Sequence, residues 1–138
     1  MKYLKLFEGF QAVAYGKGKE SLDQKYVDIV RDRLQELEDK GYRIIFSVDT
    51  NSNESVIIAG PKAVMEVNEN LREDLISLIE DMESNGKKVS RYSISDQHHH
   101  LETSIATNGL YEDYLFNKKI GFRVRYIQIF FRNKEKSV

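Results

Sequence analysis

The sequence contains no cysteine and only one proline among its 138 residues. Without cysteine there can be no disulfide bond, no thiolate metal site and no cysteine nucleophile. Hydrophobic residues make up 41% of the chain, which together with so little proline excludes intrinsic disorder, collagen and Pro-rich linkers as descriptions of the whole. No apolar run approaches the roughly 20 residues that a bilayer-spanning helix needs, so we expect no membrane partner.

The formal net charge is only −1, which argues against nucleic-acid binding over the whole surface. The charge is uneven, however: residues 1–117 carry 14 basic and 21 acidic side chains, whereas residues 118–138 carry 7 basic and 1 acidic. This C-terminal excess predicts an anionic partner. The residues assigned to nucleic-acid contact are Lys118, Lys119, Arg123, Arg125, Arg132 and Lys134. The alternative is that the last strand pairs with acidic neighbours and that residues 134–138 form a solvated basic tail.

Residues 1–15 fit the period of an amphipathic helix, with apolar side chains near one face and charged side chains near the other. The stripe that would contact a partner consists of Tyr3, Leu6, Phe7 and Phe10. Residues 16–20 read Gly-Lys-Gly-Lys-Glu and predict a flexible connection. The sequence therefore predicts an N-terminal docking helix that is hinged to the domain behind it. The alternative is a helix that packs on its own domain or on a twin chain.

The domain behind that connection begins with a helix and two strands. A capping box formed by Ser21 and Gln24 starts a helix with an apolar stripe, and Gly41 ends it. The next two segments, 42–49 and 54–60, have the composition of strands and are separated by turn residues. They predict an antiparallel hairpin.

A second unit repeats this order of helix, glycine and strand. Asn68 or Asn70 caps a helix that ends before Gly86, and residues 87–95 predict a strand. Helix stripes of this width must be buried against a sheet. Residues 21–133 therefore predict a single α+β domain. We expect a two-layer sandwich of two main helices on a mainly antiparallel four-stranded sheet, similar to a ferredoxin-like fold with permuted strand order.

The strongest strand pattern covers residues 119–133 and mixes arginine with aromatic residues. Tyr126 and Phe130 share one predicted face, while Arg123 and Arg125 lie on the other, whose apolar distal half we expect to be covered. A sheet that carries aromatic and arginine side chains can stack nucleic-acid bases. Ordinary packing of aromatic side chains in a core is the alternative.

All three histidines stand in one run, residues 98–100. In a strand, His98 and His100 would face the same side and could share a metal ion, as a metal-dependent enzyme would require. No further histidine or cysteine completes such a site, so a solvated loop is the preferred interpretation. Carboxylate pairs fall on predicted helix surfaces or in turns, and no catalytic motif is present. We therefore expect no enzyme, no bound metal and no cofactor.

The opening residues Met-Lys-Tyr-Leu-Lys-Leu-Phe-Glu-Gly-Phe resemble the N-termini of small uncharacterised proteins of large tailed bacteriophages. They also resemble the capsid-targeting peptides of T-even-type phages. That resemblance covers residues 1–10 and implies that the peptide directs the protein into the prohead. There a maturation protease cuts after Leu/Ile-x-Glu. Leu6-Phe7-Glu8-Gly9 fits this tripeptide, which implies cleavage between Glu8 and Gly9.

Two functions follow as predictions. The first is a non-enzymatic phage accessory protein, virion-associated or packaged in the head. Its N-terminal helix would bind a capsid or scaffold protein, or a second copy of the chain. The second is an accessory protein in the host cytoplasm that binds nucleic acid or a host protein through its basic C-terminal strand.

Overall fold

The computed structural model describes residues 2–7, 9–15, 23–48, 53–96, 101–105 and 123–134. Within these ranges the chain is α+β, with its helices packed on one face of a mixed sheet. The strands are β1 Lys2–Phe7, β2 Phe10–Tyr15, β3 Arg43–Val48, β4 Glu54–Ala59, β5 Met65–Glu66, β6 Lys87–Asp96, β7 Leu101–Ile105 and β8 Arg123–Asn133. The helices are α1 Gln24–Arg33, α2 Gln35–Asp39 and α3 Glu69–Ser84.

The strand order is β1-β2-β3-β4-β8-β6-β7, and short β5 also pairs with β8. All neighbours are antiparallel except β2 and β3, which are parallel. The α+β class is thus confirmed, as is the hairpin formed by β3 and β4. The described residues form eight strands of one sheet instead of the predicted four, because β1, β2 and β7 extend the sheet on both sides and β5 adds a short pairing with β8.

Two connections that contain helices cross one face of the sheet. The segment from β2 through α1 and α2 to β3 connects parallel neighbours, and α3 connects β4 to β6, which run parallel with β8 between them. Helix α1 packs against α3, and both contribute to one core, so the two connections lie on the same side of the sheet. Arg33 Nε lies 3.0 Å from Asp81 Oδ2 across the contact between these two helices.

The core lies between these helices and the inner face of the sheet. Alternate strand residues point into it, as the two-residue period of a strand requires. From the sheet the fully buried side chains include Phe10, Ile44, Phe46, Val56, Ile58, Tyr92, Ile127, Ile129 and Phe131; from the helices they include Val27, Val30, Leu34, Leu71, Leu75, Leu78 and Met82.

The helix boundaries follow local chemistry, with two corrections. The first is that the single helix predicted to end at Gly41 is divided at Leu34 into α1 and α2. Asn68 caps α3, where its side-chain oxygen accepts a hydrogen bond from the Leu71 N–H at 2.9 Å, so the first of the two predicted caps is confirmed. The predicted capping box of Ser21 and Gln24 is wrong. Helix α1 begins at Gln24 and its cap is Asp23, whose carboxylate accepts from the Lys25 N–H.

The predicted N-terminal helix is also wrong, because the segment forms the hairpin of β1 and β2. Tyr3, Leu6 and Phe7 belong to β1, and their side chains lie outside the described part of the structure. Phe10 begins β2 and is fully buried in the core. Of the predicted docking stripe, the one residue with a described side chain, Phe10, is therefore part of the core, and the described residues of the stripe are in strands, not in a helix. Residues 16–20, the predicted flexible connection, lie outside the described residues.

The last strand also departs from its predicted faces. Its register against β6 shifts between Ser95 and Asp96, where Arg125 is the extra residue of a bulge. The bulge changes the phase of the alternation, so Val124 points into the core although Tyr126 does not. The distal apolar half of the other predicted face was expected to be covered. This is confirmed, because Ile127, Ile129 and Phe131 are fully buried. Residues 119–122 lie outside the described part.

Gly9 occupies the turn between β1 and β2 with φ +71°, and an added Cβ would lie 3.2 Å from both Glu38 Cγ and the Tyr42 carbonyl oxygen. We expect Gly9→Ala to lower the free energy of unfolding by about 1–3 kcal/mol, because it combines a left-handed backbone with close contacts. The urea midpoint at constant m-value measures this change.

The matched control for that substitution is Gly86→Ala. Gly86 also has positive φ, 94°, but the nearest atom to an added Cβ is the Tyr26 hydroxyl at 4.0 Å. The smaller loss is therefore expected at Gly86. A loss at Gly9 equal to or below that at Gly86 would contradict the close packing of this turn.

Candidate functional site

The candidate site lies on the sheet surface that faces away from the helices, here called the outer face. The pairing registers place alternate residues of the strands from β2 to β6 on it. The outer-face residues are Gln11, Val13, Arg43, Ile45, Ser47, Ser55, Ile57, Ala59, Tyr126, Gln128, Phe130, Arg91, Ser93 and Ser95. None of these is Asp or Glu, so this set of residues carries only positive formal charge.

Two adjoining depressions lie on the outer face and share Arg43, Ile57 and Ala59. The first has a volume of about 360 Å³ and lies over the start of β2, at Gly9 and the next residues. The second has a volume of about 500 Å³ and extends across β4 to β8, where Tyr126 and Gln128 line it. Together they form a continuous concave track from β2 to the centre of the sheet.

Three cations surround the second depression. Arg43 and Lys62 are exposed, whereas Arg125 is half-buried at the bulge of β8. No ion pair joins any of the three to a carboxylate within the described ranges. Their charge is therefore uncompensated by those residues, and the potential over the depression favours an anionic ligand.

Two half-buried aromatic rings of β8 belong to the same face. Tyr126 lines the second depression, and Phe130 lies four residues further along the strand. The guanidinium of Arg91 sits over the Phe130 ring, with its carbon 4.2 Å from the ring centroid. Aromatic rings and guanidinium planes are the two side-chain groups on which bases stack.

A short hydrogen-bonded chain of polar side chains crosses the outer face between these rings. The Ser47 and Ser55 hydroxyl oxygens are 2.9 Å apart, and Gln128 Nε2 donates to Ser55 Oγ at 3.2 Å. Gln128 is thus held in place between Tyr126 and Phe130. Its amide can exchange hydrogen bonds with a polar ligand group that lies over the centre of the sheet.

The opposite side of the molecule has the opposite charge. The three helices together carry eleven acidic and four basic residues. The protein therefore has an acidic helical layer and a basic outer face. This charge separation would orient the molecule toward a polyanion with its sheet first.

The structure does not place all the cations predicted for nucleic-acid contact at this site. Arg125 lines the second depression. Arg123 is exposed, but it pairs in register with Glu66 of β5, which opposes its charge. Arg132 is exposed near the other end of β8, about 23 Å from Arg125 for seven extended residues, and the exposed Lys134 follows that end. Lys118 and Lys119 lie outside the described part of the chain.

Sequence reasoning missed Arg43, Lys62 and Arg91. They come from three separated segments that the strand order brings together: Arg91 of β6 lies beside the last strand, and Arg43 of β3 lies on the other side of β4. Arg43 lies two residues after Gly41, which ends the α2 segment, and it is the first residue of β3. Nothing in this local sequence indicates a function for Arg43. The strand order supplies that information.

A buried ion pair lies on the inner side of the sheet. Lys87 Nζ is 2.7 Å from Glu54 Oε1, and each side chain is 5% exposed. The same ammonium group bonds Asn133 Oδ1 and lies over the Tyr26 ring, 4.8 Å from its centroid. Burial raises the pKa of Glu54, although Lys87 acts to lower it. The pair joins β4, β6 and β8 beneath α1, which gives it a structural position.

The remaining predicted sites give a mixed outcome. His98 and His100 lie outside the described residues, among which no group of three or more His, Asp and Glu side chains is placed to hold a metal ion. Of the predicted cleavage pair, Glu8 is outside that part. Gly9 is exposed in the hairpin turn, and its carbonyl oxygen accepts from the Ile44 N–H at 2.9 Å. None of the described helices is long and apolar enough to cross a membrane.

Comparison with known proteins does not extend these observations. The chain shows no significant match to a protein-family model, to a curated protein or to a solved structure.

Proposed function

We propose that this protein is a non-enzymatic accessory protein that binds nucleic acid with the outer face of its sheet. The observation that carries the proposal is the group of Arg43, Lys62 and Arg125 around a depression of about 500 Å³ lined by Tyr126. Phosphates need cations, and bases need flat side-chain groups. The outer face offers both within one concave surface.

The acidic helical layer supports the same proposal. Because it repels a polyanion, it leaves one orientation for binding, with the sheet toward the ligand. In this proposal the C-terminal strand contributes Arg125 and Tyr126, which line the second depression. Its cations do not act alone, however, since Arg43 and Lys62 from other segments complete the surface.

The phage setting of this function rests on the resemblance of residues 1–10 alone. Because Lys2–Phe7 and Phe10 lie in strands, docking through a separate helix is not part of the proposal. Presence in the virion, with the host cytoplasm as the alternative location, remains part of it. Mass spectrometry of purified virions tests that part: a peptide that begins at Gly9 would support packaging with cleavage, and absence of the protein from particles would end it.

The binding function is tested by fluorescence anisotropy with labelled single-stranded and duplex oligonucleotides over a range of salt concentrations. With about three phosphates contacted, the logarithm of the association constant should fall with the logarithm of salt with a slope near −2. Dextran sulfate at equal charge serves as the competitor that lacks bases, and it should displace the oligonucleotide poorly. No binding at low salt, or an affinity that salt does not change, would refute the proposal.

A further inference from the structure

We infer that the ligand of the outer face is an extended single strand of at least three nucleotides, with its end bases on Tyr126 and on the Arg91–Phe130 pair. This inference rests on the proposed function and names its substrate class. It follows from the spacing of the two stacking positions, from what lies between them and from the cations at one end.

The spacing of the two stacking positions excludes neighbouring stacked bases. Tyr126 and Phe130 lie on the same face of β8, four residues apart, which places them about 13 Å apart along the strand. Successive bases of a stacked strand are separated by only about 3.4 Å. A strand that reaches both positions must therefore be unstacked and extended, with at least one nucleotide in between.

The surface between the rings is suited to that middle nucleotide. Gln128 stands between them on β8 and is half-buried, beside the half-buried Ile57 of β4 and the buried Ser93 of β6 in the pairing register. Its amide, already bonded to Ser55, offers hydrogen bonds to a base edge, and Ile57 offers an apolar contact. Such a pair of a polar and an apolar side chain can contact a base edge when that edge is not engaged in a duplex.

The two ends of this track differ in charge and chemistry. At the Tyr126 end, Arg43, Lys62 and Arg125 supply the cations for the backbone phosphates. At the other end Arg91 is exposed over the Phe130 ring, so its guanidinium plane forms the outermost layer of the stack. A duplex cannot use either platform, because the faces of its bases are covered by their neighbours.

The test measures how well unlabelled oligothymidylates of one, two, three, four and six nucleotides displace a longer labelled oligothymidylate from the full chain. A blunt duplex with the same number of phosphates as the longest competitor is compared at the same salt. We expect the affinity to rise about tenfold for each stacking platform that is occupied, and both platforms are occupied once the competitor has three nucleotides. Each nucleotide beyond the third should raise the affinity less than threefold. The duplex should bind at least tenfold more weakly.

Two variants locate the platforms, and a third is the matched control. Tyr126→Leu and Phe130→Leu keep apolar side chains and should each lose about tenfold in affinity for the trinucleotide. Tyr42→Leu removes a half-buried ring that packs against the core and is not one of the two platforms, so it should bind like the unmodified chain. Thermal unfolding of each variant shows whether the fold is kept.

The outcomes separate this inference from the proposed function. If no nucleic acid binds, the proposed function fails. If nucleic acid binds but the duplex binds as tightly as the single strand, or the mononucleotide as tightly as the trinucleotide, only the inference is overturned. Unchanged affinity in both leucine variants would overturn it as well. A dimer that forms without nucleic acid and is lost in those variants would assign the face to a second copy of the chain instead.

Discussion

Replacing Lys87 by methionine is expected to lower the free energy of unfolding by about 3–5 kcal/mol, the largest stability effect that this structure predicts. The substitution leaves the Glu54 carboxylate buried without the ammonium group that lies 2.7 Å away. It also removes the cation over the Tyr26 ring and the bond to Asn133. Urea unfolding followed by circular dichroism measures the change.

The matched control for Lys87→Met is Lys88→Met on the same strand. Lys88 is half-buried and makes no ion pair with a described carboxylate, so the loss there should stay below about 1 kcal/mol. The double variant Glu54→Leu with Lys87→Met replaces the pair by apolar groups and should recover most of the loss. Equal losses for Lys87→Met and Lys88→Met would contradict the expected cost of leaving Glu54 buried without its partner.

Acidification provides an independent check on the same pair. A carboxyl group whose folded-state pKa is raised binds its proton more tightly when folded. Its contribution to stability is therefore present below the ordinary pKa of 4.5 and is lost as the pH rises through the raised pKa of Glu54. In Lys87→Met the two lowering effects of Lys87 are absent, so this pKa rises further. The deficit of the variant relative to the unmodified chain should shrink as the pH falls.

Most of the domain could be predicted from the sequence, because there the hydrophobic periodicity of an element stops at the same residues that cap or end it. Asn68 before an apolar stripe, and the glycines at positions 41 and 86 with positive φ, define the ends of the helical segments by local chemistry alone. The β3–β4 hairpin was equally local, since two apolar runs are separated by turn residues. Elements whose ends are set by their own residues need no knowledge of the rest of the chain.

The N-terminal segment could not be assigned in this way. Its apolar positions satisfy a helical stripe, yet the same residues fit two strands that join at Gly9. The signal for the hairpin was Gly9 itself, between Phe7 and Phe10, because φ +71° allows a two-residue connection. What settles the matter is the parallel pairing of β2 with β3, which joins segments separated by two helices. No local pattern contains that information.

The candidate site shows the same limit. Arg125 and Tyr126 stand in a strand whose mixture of basic and aromatic residues predicted a role in binding. Arg43 and Lys62 carry no such signal, since each is an isolated cation at the end of a strand or in a loop. They join the site because only one strand, β4, lies between β3 and β8. Arg43 and Lys62 therefore border the same depression as Arg125 of β8.

The joint variant Arg43→Ala with Arg125→Ala is expected to lower the affinity for single-stranded nucleic acid by about ten- to a hundredfold at low salt. Each arginine borders the same depression without a described carboxylate partner, so each is available for one phosphate. The salt dependence should become shallower by about 0.7 per lost contact, or about 1.4 for both. Anisotropy titrations at several salt concentrations measure both quantities.

The control that removes the same charge from the acidic side is Lys25→Ala with Lys40→Ala. Both lysines are exposed on the helical layer, Lys25 in α1 and Lys40 at the C-terminal end of α2. If the contact is local, this variant should lose less than about threefold and keep the original salt slope, because distant surface charges are screened within about 10 Å. Equal losses in the two double variants would mean that affinity follows net charge alone. The outer face would then have no specific part in binding, and the arginines around the depression would be ordinary surface residues.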